Sequence, residues 1–342
     1  MDSDSLPILP TSVVGSYAYP GWLLTALEQI EQDKYGATDI REVYDDAVSI
    51  AILDQERAGI DIVSDGEMRR WYFVQSFTKR MTGIVEEPPL RKTGLYGYDS
   101  PSRYRAVERV TFPRGLGIVE EYKFTRTHTR RPIKVTCPGP LTMTIHVRPG
   151  SAYKNRLELC WQLTEVINAE LRALVSEGAR FIQLDEPSFA IVPGELDEWV
   201  RLYNACVEGV EAKHALHICF GNLASRPRGK RSYGWMFPAL NDVKADQLVL
   251  EFANREMRES DIWRRFDGEK ELGAGVVDIK SFYVETAEDV AERTRELLQY
   301  VPGEKLHLNP DCGFFQLPRW ISCLKLKALV KGARLVRGEW SD

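Results

Sequence analysis

Eight times along the chain a short apolar or β-branched run ends in small or polar residues. The runs are SVVGS (12–16), DIVSDGE (61–67), IKVTCPGP (133–140), FIQLDEP (181–187), ALHICFGN (215–222), QLVLEFA (247–253), LGAGVVDI (272–279) and KLHLNPDCG (305–313). Most are followed by segments with apolar residues at helical spacing, such as DDAVSIAILDQERAG and AEDVAERTRELLQYV. The runs are nearly continuous in apolar character, as parallel strands covered on both faces must be. Eight strand–helix units predict an α/β fold, a closed (βα)8 TIM barrel. Gly59, Gly178 and Gly303 stand where helices are expected to stop before the next strand. The spacing predicts one domain over residues 1–342, with a short arm at 1–11 and an insertion at about 78–131 after the second strand. The insertion reads as a hairpin and loop. Its aromatics Tyr96, Tyr98, Tyr104, Tyr122 and Phe124 read as hairpin core before they read as a cap over a flat ligand.

Composition excludes several classes. The net charge is −5, and the basic runs 126–131 and 226–231 are short, so neither nucleic acid nor an anionic membrane is an expected partner. The start, MDSDSLPILP, lacks the positive and long apolar regions of a signal peptide. No stretch approaches the roughly 20 apolar residues that span a bilayer. The expected location is cytoplasmic. Six cysteines are too few for a disulfide scaffold, so a special cysteine is expected to be catalytic or metal-bound. Cys160, Cys206 and Cys323 fall in amphipathic helical patterns and read as core.

In a parallel barrel the chemistry gathers at the carboxyl ends of the strands. Those ends carry Ser16; Asp65 and Glu67; Cys137; Asp185 and Glu186; His217 and Cys219; Glu251; Asp278 and Lys280; Asp311 and Cys312. His217 and Cys219 are two apart, so on a strand they face one point. A lone His-x-Cys is more often structural. With Glu251 ending the sixth run and Cys312 the eighth, the four make a set suited to tetrahedral Zn²⁺, whose soft thiolates select against Mg²⁺ and Ca²⁺. Such a centre lowers the pKa of a substrate thiol while leaving its sulfur nucleophilic. Glu251 is the harder ligand and the one expected to yield. Glu67 and Asp185 suit a substrate ammonium group, and Gly15 and Ser16 could donate to its carboxylate. Asp65 and Glu186, beside them in sequence, point the other way and read as structural.

Read together, VVGSY, DGEMRR, GPLT, IQLDEP, HICF, the Glu of LEFA, GAGVVDI and LNPDCG make the chain resemble the carboxyl-terminal, catalytic half of cobalamin-independent methionine synthase, over essentially its whole length. The resemblance implies a (βα)8 barrel, Zn²⁺ on His217, Cys219, Glu251 and Cys312, and homocysteine contacts from Ser16, Glu67 and Asp185. Three departures bear on the methyl donor. The amino-terminal barrel of the full-length enzymes has no counterpart here. A carboxylate that usually follows LDEP is replaced by apolar residues around Ile191. Where the family reads D-I-H-S, with a histidine implicated in protonating folate, this chain reads Asp278-Ile279-Lys280-Ser281. Lys280 thus stands at a catalytic position, and a lysine donates a proton poorly near neutral pH unless desolvated. The expectation is zinc-dependent methyl transfer to homocysteine, giving methionine, from methylcobalamin or a corrinoid protein rather than methyl-folate. The main alternative is alkyl transfer to another small thiol, as in epoxyalkane:coenzyme M transferases. A non-catalytic zinc barrel is the third.

Overall fold

Parallel strands hide their apolar faces only when other elements cover both sides, and the eight runs achieve this by closing on themselves. The computed structural model describes residues 6–71, 73–89, 102–192, 194–222, 231–266 and 270–339. Tyr96, Tyr98, most of the basic run 226–231 and the first five residues of the arm lie outside them. The third to eighth runs form strands Val135–Pro138, Phe181–Asp185, Lys213–Ile218, Gln247–Glu251, Glu271–Val277 and Leu306–Pro310. They pair in that order, all parallel. The first two runs complete the ring through single bridges. Thr11 pairs with Leu308, Ser12 with Ile62, and Val63 with Ile133.

Closure produces two apolar compartments. Val14, Ile62, Phe181, Ala215 and Val249 form a small cluster apart from the main core, one residue from each of five runs. These are the inward positions of the barrel. The larger core packs the other strand face against helices including Ala37–Ala58, Arg156–Ser176, Leu196–Val207, Ala287–Leu298 and Arg319–Gly338. Local signals start and stop the helices. Asn155 Oδ1 caps Arg156–Ser176 by accepting from the Glu158 N–H, and Thr286 with Asp289 forms a capping box on Ala287–Leu298. Gly59 and Gly178 take left-handed conformations just past their helices. Gly303 does not. It opens a short 3-10 turn, Gly303–Lys305, because the preceding helix ends earlier, at Leu298. No helix of the described residues is long and apolar enough to cross a membrane.

The insertion contains the expected hairpin, Thr82–Glu87 antiparallel to Arg103–Thr111. It also contains a helix, Ile118–Thr125, which the sequence reading missed. Buried Glu170 holds the start of that helix, accepting from the N–H groups of Leu116, Ile118 and Val119 at 2.7–3.1 Å. Tyr122 and Phe124 therefore belong to the helical layer, where Phe124 stacks on His128. Cys160 and Cys206 are buried as expected. Cys323 is only half-buried, beside Tyr17 and Asp54 in a polar cluster.

A buried ion pair ties the last helix to the seventh strand end. Lys325 Nζ donates to Glu285 Oε2 at 2.8 Å and to the Asp278 carbonyl at 2.6 Å. Glu285 Oε1 accepts from the Asp278 N–H at 2.8 Å. Removing one partner leaves a buried charge uncompensated, so Glu285→Ala is expected to lose about 3–5 kcal/mol of stability. Urea denaturation checks this, and a loss under about 1 kcal/mol would show that the pair is dispensable.

Candidate active site

The inward positions of the small cluster set the parity of every strand. Residues in step with Ala215, Phe181 and Val249 also face the barrel axis, and they include His217, Gln183, Asp185 and Glu251. Asp185 and His217 are direct neighbours across two strands. His217 Nδ1 lies 2.8 Å from Asp185 Oδ1, which also accepts from Gln183 Nε2 at 2.8 Å. That leaves His217 Nε2 buried without a hydrogen-bond partner. Cys219 follows the strand end, and its Sγ lies 3.6 Å from Cys312 Sγ. The ligand atoms of His217, Cys219 and Cys312 all lie within 4.8 Å of one another. Glu251 falls outside this tight group.

The electrostatics match the geometry. The hydrogen bond from Cys312 pulls the Cys219 thiol well below its usual range, against the effect of burial, and His217 helps. The same bond, with burial, pushes Cys312 up. Burial would lower His217, but the Cys219 thiolate and Asp185 outweigh it and raise the imidazole to about 10.

Glu67 faces this group from the second strand end. Its backbone is left-handed, with φ 53°, a strained conformation for a non-glycine residue. The carboxylate accepts from Thr136 Oγ1 at 2.7 Å and lies 3.4 Å from Arg70 Nη1. Burial, with nearby Asp185, raises Glu67 to about 7 against the opposing pull of Arg70 and Thr136. Gly15 makes room for it, since a Cβ there would sit 2.8 Å from Glu67 Oε1. Ser16 follows, its carbonyl accepting from the Phe314 N–H at 2.7 Å, which sets the first strand end beside the Cys312 turn. Asp65 and Glu186 are used locally, as expected. Asp65 accepts from the Glu67 N–H, and Glu186 accepts from the N–H groups of Leu141 and Thr142 at the start of a short helix.

Lys280 and Glu251 meet in a way the sequence did not reveal. Lys280 Nζ donates to Glu251 Oε2 at 2.7 Å, and both side chains are at most 1% exposed. Burial works against the Lys280 charge, but Glu251 and Cys219 outweigh it and raise its pKa. The strand ending at Val277 carries an irregularity between Gly275 and Val277, and such bulges re-aim the residues that follow. Lys325 and Glu285 then anchor that turn. Asp311 acts similarly on the sixth strand end, accepting from the N–H groups of Phe252, Ala253 and Asn254 at 2.6–3.0 Å. Of these supporting residues, Lys325 and Glu285 carried no motif signal. A surface cavity of about 680 Å³ lies elsewhere, between the hairpin strand at Arg109 and the outer helix at Trp161 and Arg172, and no site residue lines it.

Fold and site together define the class: a (βα)8-barrel protein with a soft Cys–Cys–His donor set beside buried carboxylates at its catalytic end. The chain belongs to the family described as the cobalamin-independent synthase catalytic domain, whose model matches residues 9–335. It is 34% identical over 335 residues to a methionine synthase of Saccharolobus solfataricus, covering 98% of this chain and 96% of that protein. It is 36% identical to a methionine synthase of Thermococcus kodakarensis, covering 98% and 95%. Among solved structures, a B12-independent methionine synthase from Shewanella sp. W3-18-1, in complex with selenomethionine, superposes with a TM-score of 0.83 at 29% identity, covering 98% of this chain and 99% of that one. The family description is opposite to the methylcobalamin or corrinoid donor expected from the sequence.

Gly15 supplies a check on the site. Gly15→Ala is expected to displace Glu67 from Thr136 while the barrel stays folded. A crystal structure of the variant with the 2.7 Å contact intact would contradict the close-approach argument.

Proposed function

We propose that this protein transfers a methyl group to the thiol of homocysteine, giving methionine, with Zn²⁺ held by His217, Cys219, Cys312 and Glu251. The observation that carries this is the His217 imidazole, whose Nε2 is buried and unpartnered and which has a ring nitrogen within 4.8 Å of two thiols, next to buried Glu67 and Asp185. The residues fit the ion. Asp185 fixes the His217 ring so that Nε2 is the ligand atom, as carboxylates commonly do behind metal-binding histidines. Glu251 Oε1 is likewise buried and unpartnered. When bound, Zn²⁺ supplies the Lewis acidity that keeps a substrate thiol deprotonated near neutral pH.

The protein's own groups do the rest. Glu67 and Asp185 receive the homocysteine ammonium group. Gly15 and Ser16 donate to its carboxylate. Held at both ends, the substrate has one orientation in which its sulfur reaches the donor set, and a sulfur–carbon bond forms as the methyl–donor bond breaks. Most of the rate gain in this reading comes from positioning. Asp185 has a second task, since the oxygen that orients His217 belongs to the same carboxylate that faces the substrate cation. Lys280, at the position read as catalytic, has its ammonium on Glu251 and acts through that carboxylate. The six cysteines, all free, fit a reducing cytoplasm. Another small thiol without an ammonium group, such as coenzyme M, is the weaker reading, because it would leave Glu67 and Asp185 facing no cation.

The methyl donor divides the observations. The family description favours a route without cobalamin and hence a methyl-folate. Lys280 in place of histidine and the apolar stretch at Ile191 favour a corrinoid. Zinc-loaded protein is therefore offered homocysteine with methyl-folate and, separately, with methylcobalamin. Methionine is expected with one of them, and Cys312→Ser is expected to lose both zinc and turnover while keeping its circular dichroism spectrum. No methionine from either donor with zinc bound, or full zinc and turnover in Cys312→Ser, would end this reading. A pH series gives a second check. Glu67, raised to about 7, is neutral below that pH and anionic above it. Homocysteine binding is thus expected to tighten as pH rises through about 7 and to weaken below it, and Glu67→Gln should flatten that part of the KM profile.

A further inference from the structure

The Lys280–Glu251 pair is asymmetric. Glu251 Oε2 accepts from Lys280 Nζ at 2.7 Å and from the Phe220 N–H at 3.2 Å. Oε1 is buried with no hydrogen-bond partner, and Arg231 Nη2 lies 3.7 Å from it. Phe220 is the residue after Cys219, so the carboxylate is pinned beside the thiol group with one oxygen engaged and one left over. Lys280 is itself held firmly. Its N–H donates to Asp278 Oδ1 at 2.8 Å, and the Asp278 backbone is anchored by Lys325 and Glu285. Nothing in this arrangement lets the ammonium swing toward open space without breaking a buried ion pair.

We propose that Lys280 is a positioning residue that makes Glu251 the weak, exchangeable member of the metal-ligand set. This rests on the function proposed above. A carboxylate whose second oxygen is bound to an ammonium shares its charge and offers a cation one oxygen instead of two. The ammonium also repels a cation placed nearby. Both effects lower the hold of Glu251 relative to His217, Cys219 and Cys312. Were an incoming thiolate to take its place on the ion, Glu251 would keep Lys280 as a partner and would not be stranded as a bare buried charge. Such an exchange of carboxylate for substrate sulfur would leave buried charge pairing little changed.

The test measures zinc affinity, apart from turnover. Wild type, Lys280→Met and Lys280→Arg are titrated with Zn²⁺ against a chromophoric chelator, with circular dichroism and thermal melts reporting the fold. Lys280→Met is expected to bind zinc more tightly, by roughly tenfold on the scale of outer-shell effects, whereas Lys280→Arg stays near wild type. With Co²⁺ in place of Zn²⁺, homocysteine is expected to shift the sulfur-to-metal absorption of wild type more readily than that of Lys280→Met. Should Lys280→Met not fold, Lys280→Gln carries the same comparison, keeping a donor without the charge. A folded charge-neutral variant that binds zinc as wild type does, or more weakly, overturns the proposal, since loss of mere structural support would weaken binding. Wild type that takes up no zinc overturns the proposed function and this inference with it. Zinc uptake indifferent to Lys280 overturns this inference alone.

Discussion

Closing eight parallel strands into a ring forces their carboxyl ends to meet, and the rest of this molecule depends on that. Alternation along each strand turns half the residues inward. Near the amino ends and middle, inward positions are filled by side chains such as Phe181, Ala215 and Val249. At the carboxyl ends the same parity sets Asp185 opposite His217 and turns Glu251 toward the same mouth. No loop has to fold around a site to bring them together. The cost of confining charged groups to that mouth is met by arranging partners for each.

Those partners form a connected set. Asp185 engages His217 and Gln183; Thr136 and Arg70 engage Glu67; Lys280 engages Glu251; and Asp311 engages three N–H groups behind the sixth strand. Burial raises the pKa of several of these carboxylates, and neighbouring cations and donors pull them back. The atoms left unpartnered are informative for that reason. Asp185 Oδ2, Gln183 Oε1 and Asp65 Oδ2 are also unpartnered, but His217 Nε2 and Glu251 Oε1 are the orphans that lie on candidate metal ligands. A buried polar atom without a partner is unfavourable, so both point to a ligand. The left-handed backbone at Glu67 is a second sign that local comfort has been given up at the mouth.

How much of this was legible differs residue by residue. The eight runs were, because a strand buried on both faces leaves an uninterrupted apolar signature. His217, Cys219 and Cys312 were, because thiols and imidazoles at strand ends are chemically conspicuous. The separation of roles within LDEP also followed, since neighbours on a strand face opposite ways; within DGE it did not, because Asp65 and Glu67 are two apart and are parted only by the left-handed turn at Gly66 and Glu67. The helix Ile118–Thr125 was hidden, because its start is held by Glu170, more than 40 residues away in sequence. Gly303 misled, because a glycine before a strand signals a helix end only when the helix reaches it. Cys323 looked like core, since helical periodicity shows which face turns inward but not whether that face meets Tyr17 and Asp54.

The sequence by itself determined the ring of strands, the donor atoms at its mouth and the family to which the chain belongs. Each of these depends on periodicity or on short motifs, which are local properties of a chain. Only the tertiary structure decided what those groups do to one another. It placed Lys280 on Glu251, set Glu251 outside the tight Cys–Cys–His group, and tied the Lys280 turn to Lys325 on the last helix. Electrostatic pairing acts through distance in space. Lys280 and Glu251 are 29 positions apart, Asp278 and Lys325 are 47 apart, and no period or motif encodes a contact at such separations.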